Sequence, residues 1–139
     1  MTWRATSGRT IAASPGAGST AAAIAATHPA RRRICVVSDD LSGAPDEGVK
    51  KFTLALSGAL RADHEVAVLS ARGPVVPPGV AFVPAPRSFA SPRLRAAIRR
   101  HDPALVIYAA RSSATFFGFA RAWLLGRYAP GARLVLLGL

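Results

Sequence analysis

The sequence predicts an α/β domain of Rossmann-like type, with three layers and a mostly parallel sheet. Two observations carry this. The runs Ile34 to Val37 and Leu105 to Tyr108 are apolar without alternation, the pattern of strands buried on both faces. Between such runs stand segments with helical spacing, and a strand, a crossover helix and a parallel strand make the βαβ unit. At 139 residues the chain is long enough for one domain with a core that needs no disulfides.

The elements follow in order from Arg33. After the first strand, Asp39 to Glu47 is rich in Asp, Ser, Gly and Pro, which favour turns. From Gly48 the residues Val49, Phe52, Leu56, Ala59 and Leu60 recur at helical spacing and predict a stripe laid against the sheet. Asp46 and Glu47 just ahead of it suit the helix dipole, and Asp46 is a candidate cap. His64 to Leu69 reads as the second strand. Ser70 to Pro78 is a loop, and Val80 to Val83 a short strand ended by Pro84 and Pro86. Ser91 is an N-cap candidate with Pro92 at the first helical position. Leu94, Ala97, Ile98 and His101 share a face, and Arg99 and Arg100 complement the C-terminal dipole. Pro103 stops this helix. After Leu105 to Tyr108, a polar break at Arg111, Ser112 and Ser113 precedes a helix built from Phe116, Phe117, Phe119, Ala120, Trp123 and Leu124. Pro130 and Gly131 end it, and Arg133 to Leu137 is the last strand. The chain stops directly after that strand with no closing helix, so the domain reads as incomplete at its C-terminus.

Residues 1–30 form a separate unit, read as a disordered or mis-assigned tail: Ala, Ser, Thr, Gly and Pro dominate, with no acidic residue. Gly16, Gly18 and Ala21 match a G-x-G-x-x-A spacing, but Ile11 to Ser14 is a poor strand to precede a dinucleotide loop. The domain proper is residues 31–139. Its single cysteine, Cys35, lies in a predicted core strand, which fits a reducing, cytoplasmic setting and no disulfide or metal cluster. The net charge of +11 comes almost wholly from Arg and points to anionic partners, a peripheral membrane surface among them. Nucleic acid is disfavoured, since most arginines are spread singly instead of alternating with exposed aromatics. No apolar run approaches the ~20 residues of a membrane span.

In a parallel sheet a site is expected where the carboxyl ends of the strands converge. The segments predicted there are Ser38 to Glu47, Ser70 to Gly79, Ala109 to Ser113, and Gly138 onward. Glu47, Gly48, Arg111 and Ser112 are the candidate ligand-binding residues: backbone amides at helix starts, with one guanidinium, suit a phosphate or carboxylate. The acids Asp39, Asp40, Asp46 and Glu47, four of the seven in the chain, gather in the first of these loops; solvation and helix capping are the favoured reading, with a functional role as the alternative. His28, His64 and His101 have no partner at metal or triad spacing, and no catalytic residue is assigned. His101 reads as a helix end and His64 as the approach to a strand. The aromatics of 116–123 are expected in the core.

The stretch VVSDDLSGAPDEGVKKFTLALSGALRADHEVAVLSARG resembles the opening of retaining GT-B glycosyltransferases of the family 4 type. Gly48, Val49, Phe52, Leu56, Leu60, His64, Val66 and Val68 fall on that family's pattern, and Asp102 to Ile107 resembles its Pro-Asp-hydrophobic strand. The family's Gly-Gly pair is Glu47-Gly48 here, and Ala109 and Ala110 stand where it often has a histidine. The resemblance implies an acceptor-side domain of an enzyme that moves sugar from a nucleotide sugar to an acceptor. The donor site would lie in a second domain, so this chain is expected to be inactive alone; no cofactor is implied. The alternative is a non-enzymatic Rossmann-like module for an anionic ligand or protein partner.

Overall fold

The computed structural model describes residues 30–42, 48–73, 76–110 and 116–138. The chain parts at Ala30, and the unit from Arg31 to Leu139 carries the fold. Its elements are β1 (Arg33–Ser38), α1 (Gly48–Leu60), β2 (Glu65–Ser70), β3 (Ala81–Pro84), α2 (Pro92–His101), β4 (Leu105–Ala110), α3 (Phe116–Tyr128) and β5 (Arg133–Gly138). All five strands are parallel, in the order β3-β2-β1-β4-β5. Val36 of β1 stands opposite Val68 on one side and Ile107 on the other. The predicted α/β class and central strands are therefore present. Residues 1–29, with Gly16 to Ala21 and Ile11 to Ser14 among them, lie outside the described residues.

The two faces of the sheet follow from the strand period of two. Cys35, Val37, Ala67, Leu69, Val106 and Tyr108 point to one side, where Leu94 and Ile98 of α2 and Ala122 and Leu125 of α3 cover them. Ile34, Val36, Val66, Val68 and Ile107 point to the other, against Leu56 and Leu60 of α1. This is why β1, β2 and β4 read as unbroken apolar runs.

Two helices differ from expectation. In α1 the residues fully buried are Thr53 and Ser57, while Phe52 is 39% exposed and Ala59 is also exposed. The packed line runs through Thr53, Leu56, Ser57 and Leu60. Small side chains at its centre let the helix lie close to the sheet, and Phe52 falls at its edge. In α3 the residues turned inward are Gly118, Ala122, Leu125 and Tyr128. Phe116, Phe117, Phe119 and Trp123 are 80%, 69%, 60% and 62% exposed, so the expected aromatic core is absent from this helix.

α2 matches its sequence signals closely. The Ser91 hydroxyl accepts from the Arg93 amide, Pro92 opens the first turn, and Asp102 ends the helix in the left-handed conformation with its amide donating to Ile98 and Arg99 carbonyls. His101 is the last helical residue and His64 immediately precedes β2. Among the described residues Gly79, with φ +81°, is the glycine whose backbone disfavours any other residue, and a Cβ there would also strike Arg61. Among the described residues no helix is long and apolar enough to cross a membrane.

Two measurements test this packing. The buried Thr53 hydroxyl has no hydrogen-bond partner among the described residues. Thr53→Val keeps the shape and removes the stranded oxygen, so denaturant unfolding is expected to show a gain of about 1 kcal/mol. Burial pushes the Cys35 thiol up to about 12, leaving it protonated at neutral pH and shielded within β1. A thiol reagent is expected to modify Cys35 only as fast as the fold opens; rapid modification of the native protein would contradict a central β1.

Candidate functional site

Strand order reverses between β1 and β4: from β1 the chain moves outward through β2 to β3, then crosses back to β4 and on to β5. Such a switch point leaves a crevice beyond the carboxyl ends of the two central strands. Asp39 and Asp40 emerge there directly after β1, and Tyr108 points into the same region from β4.

Asp39 is the centre of the cluster. Its Oδ1 accepts from the Tyr108 hydroxyl at 3.2 Å, and its Oδ2 accepts from Arg121 Nη1 at 3.0 Å. Arg121 also approaches the Tyr108 oxygen at 3.5 Å. Its guanidinium lies 5.0 Å from the centre of the Phe89 ring, which in turn packs on Tyr108 at 5.2 Å. Phe89 is held from behind, because the Tyr128 hydroxyl donates to its carbonyl at 2.6 Å. One arginine thus spans from α3 to β1 across an aromatic shelf supplied by the loop after β3.

Asp40 is oriented separately. Its Oδ1 accepts from the Ser42 amide at 2.8 Å, and its Oδ2 faces Arg87 Nη2 at 3.4 Å. The next residue, Leu41, is buried and its amide donates to Ser70 Oγ at the end of β2. This anchor holds the start of the loop against the sheet. Asp39, Asp40, Arg87 and Arg121 line an open cavity of about 320 Å³. Its four charged side chains balance, two of each sign, and they offer both hydrogen-bond donors and acceptors.

Three groups of the cluster are shifted by their surroundings. Hydrogen bonding from Ser42 holds the Asp40 carboxyl below its ordinary range, with smaller contributions from Arg72 and Arg87. Burial, foremost, raises the Tyr108 phenol above its ordinary value, and the Asp39 charge adds to this. The hydrogen bond to Tyr108 pushes the Arg121 guanidinium further up, so it stays charged. Asp40 is therefore a weak base and Tyr108 a weak acid at neutral pH. His64 and His101 lie at the amino ends of the strands, away from this crevice. No group of His, Cys, Asp and Glu among the described residues is arranged for a metal ion.

The cluster differs from the one read in the sequence. Glu47, Arg111, Ser112 and Asp46 lie outside the described residues. Gly48 is the first residue of α1, with open space where a Cβ would sit and no left-handed φ, so it accepts other residues. Asp39 and Asp40, for which solvation and capping is the favoured reading of the sequence and a functional role the alternative, accept from arginines of α3 and of the loop after β3. Arg121, Arg87 and Phe89 were missed. A lone arginine inside the apolar run 116–125 was the available signal for Arg121. Nothing local marks Arg87.

Tyr108 supplies a test. Its folded-state pKa is raised, so above about pH 10 the unfolded chain loses the proton first and stability falls as pH rises. At neutral pH Tyr108→Phe is expected to cost about 1 kcal/mol for the lost bond to Asp39. That gap should narrow in thermal melts above about pH 10; a constant gap would mean that the phenol is not shielded.

No protein-family model matches this chain and no curated protein aligns with it significantly, so the chemistry of the crevice is the ground for a functional reading.

Proposed function

We propose that residues 31–139 are the acceptor-side domain of a glycosyltransferase of the GT-B type, with the acceptor bound in the crevice beyond β1 and β4. The observation that carries this reading is the charge-balanced cavity of Asp39, Asp40, Arg87 and Arg121 at the switch point. A sugar or polyol presents hydroxyls that both donate and accept. Carboxylates take the donated protons, guanidiniums supply the opposite bonds, and a cavity of this volume suits one small ring. The resemblance of Gly48 to Val68 and of Asp102 to Ile107 to family 4 glycosyltransferases supports the same assignment.

In this reading the crevice binds and orients, and the nucleotide sugar is held by a second domain. Asp39 accepts from both Arg121 and Tyr108, so its role is to position the arginine. Arg87 is the adaptable member: its side chain is 65% exposed and its bond to Asp40 is long. That exposure also supports the second reading, a non-enzymatic module that captures an anion through Arg87.

Calorimetric titration separates the two. The chain is expected to bind methyl glycosides or inositol, and Arg87→Ala to weaken that binding by about tenfold, the scale of one charge-assisted bond. Incubated alone with nucleotide sugars and these acceptors, it is expected to transfer no sugar. Binding of inorganic phosphate with no binding of any glycoside or inositol would favour the anion module.

A further inference from the structure

In its first two turns α3 is built inside out for a helix on a protein surface. Gly118 and Ala122 face the sheet, while Phe116, Phe119, Trp123 and Arg127 follow one another at spacings of three, four and four along its outer line. Phe117 flanks this line and packs edge-on against Phe116. The Arg127 guanidinium lies 5.2 Å from the Trp123 ring centre. The apolar surface offered to solvent is on the order of 500 Å², the size at which a patch marks an interaction site.

What surrounds the patch selects its partner. α2 covers the same face of the sheet as α3 and turns Arg93, Arg95, Arg99 and Arg100 outward. From Val66 to Leu139 the sequence holds ten arginines and one acidic residue, Asp102. This face therefore joins a ridge of exposed aromatics to a helix bearing four outward cations. Aromatic side chains inserted at the acyl boundary, with arginines among the headgroups, are how an interfacial helix binds anionic lipid. Single-stranded nucleic acid, which also uses arginine and aromatics, is gripped in grooves that track its backbone. Here the aromatics crown a convex helix. We propose that the outer face of α2 and α3 docks on an anionic bilayer surface, with Phe116, Phe119 and Trp123 inserted and the α2 arginines against lipid headgroups.

The test uses the full 139-residue chain with sedimented vesicles of phosphatidylcholine alone or in equimolar mixture with phosphatidylglycerol. Binding is expected to be at least tenfold stronger to the anionic vesicles. Replacing Phe116, Phe119 and Trp123 together by Ser is expected to reduce it at least tenfold. These side chains lie outside the core, and circular dichroism checks that the variant is folded. Arg93→Gln with Arg95→Gln, which leaves every aromatic in place, is expected to reduce binding about tenfold and to flatten its salt dependence. In a Trp3→Phe background, Trp123 emission is expected to shift to the blue on anionic vesicles. Equal binding to both vesicle types, or full binding by the folded aromatic variant, would overturn the proposal. So would a single-stranded oligonucleotide that binds through the same aromatics while the vesicles do not.

Discussion

The constraint on which the rest depends is the burial of β1 on both faces and both edges. Val36 is closed in by β2 and β4 laterally, and the side chains of β1 alternate between two separate apolar clusters. A strand in that position needs helices above and below, because a bare sheet face would leave its apolar side chains in water. Its two neighbours are parallel to it, so the connections between them cross over the sheet. Once β1 is central, the loop after it opens at the switch point, and Asp39 and Asp40 are delivered to the crevice by topology alone.

The helices meet this demand with unequal means. α2 uses Leu94 and Ile98, large side chains that fill the space under its axis. α1 and α3 mix small residues with large ones on their inner sides, Thr53 and Ser57 with Leu56 and Leu60 in one and Gly118 and Ala122 with Leu125 and Tyr128 in the other. Small inner residues bring the helix close to the strands, and large residues nearby must then turn to the edges or outward. In α1 this displaces Phe52 alone. In α3 it displaces four aromatics, which gives the molecule a face that water does not favour.

The crevice depends on a different economy, that of long side chains reaching between elements. Arg121 starts on α3, passes over Phe89 and ends on Asp39 beside Tyr108, so four separate segments meet at one guanidinium. An isolated pair of this kind at the surface contributes little to stability, about 0 to 1 kcal/mol. Here the aromatic shelf and the phenol fix its geometry, which is what a binding site requires.

What the sequence determined by itself is the class of fold and most of its elements. Unbroken apolar runs at Ile34 to Val37 and Leu105 to Tyr108 can be satisfied only where both faces are covered, and the Ser91-Pro92 start and Pro103 stop are local chemistry that needs no tertiary context. The carboxyl edge was legible as the place for a site for the same reason, since strand direction decides it. Which residues meet there was not. Asp39 looks like any acid in a loop until Arg121, 82 residues later, is brought beside it. The aromatic helix misled for a related reason: Phe116 to Leu124 is apolar nearly all round, so its periodicity does not say which side faces the sheet. Tertiary packing decided that by turning Gly118, Ala122, Leu125 and Tyr128 inward, with the small pair leaving room for the backbone to approach and the four aromatics left outside.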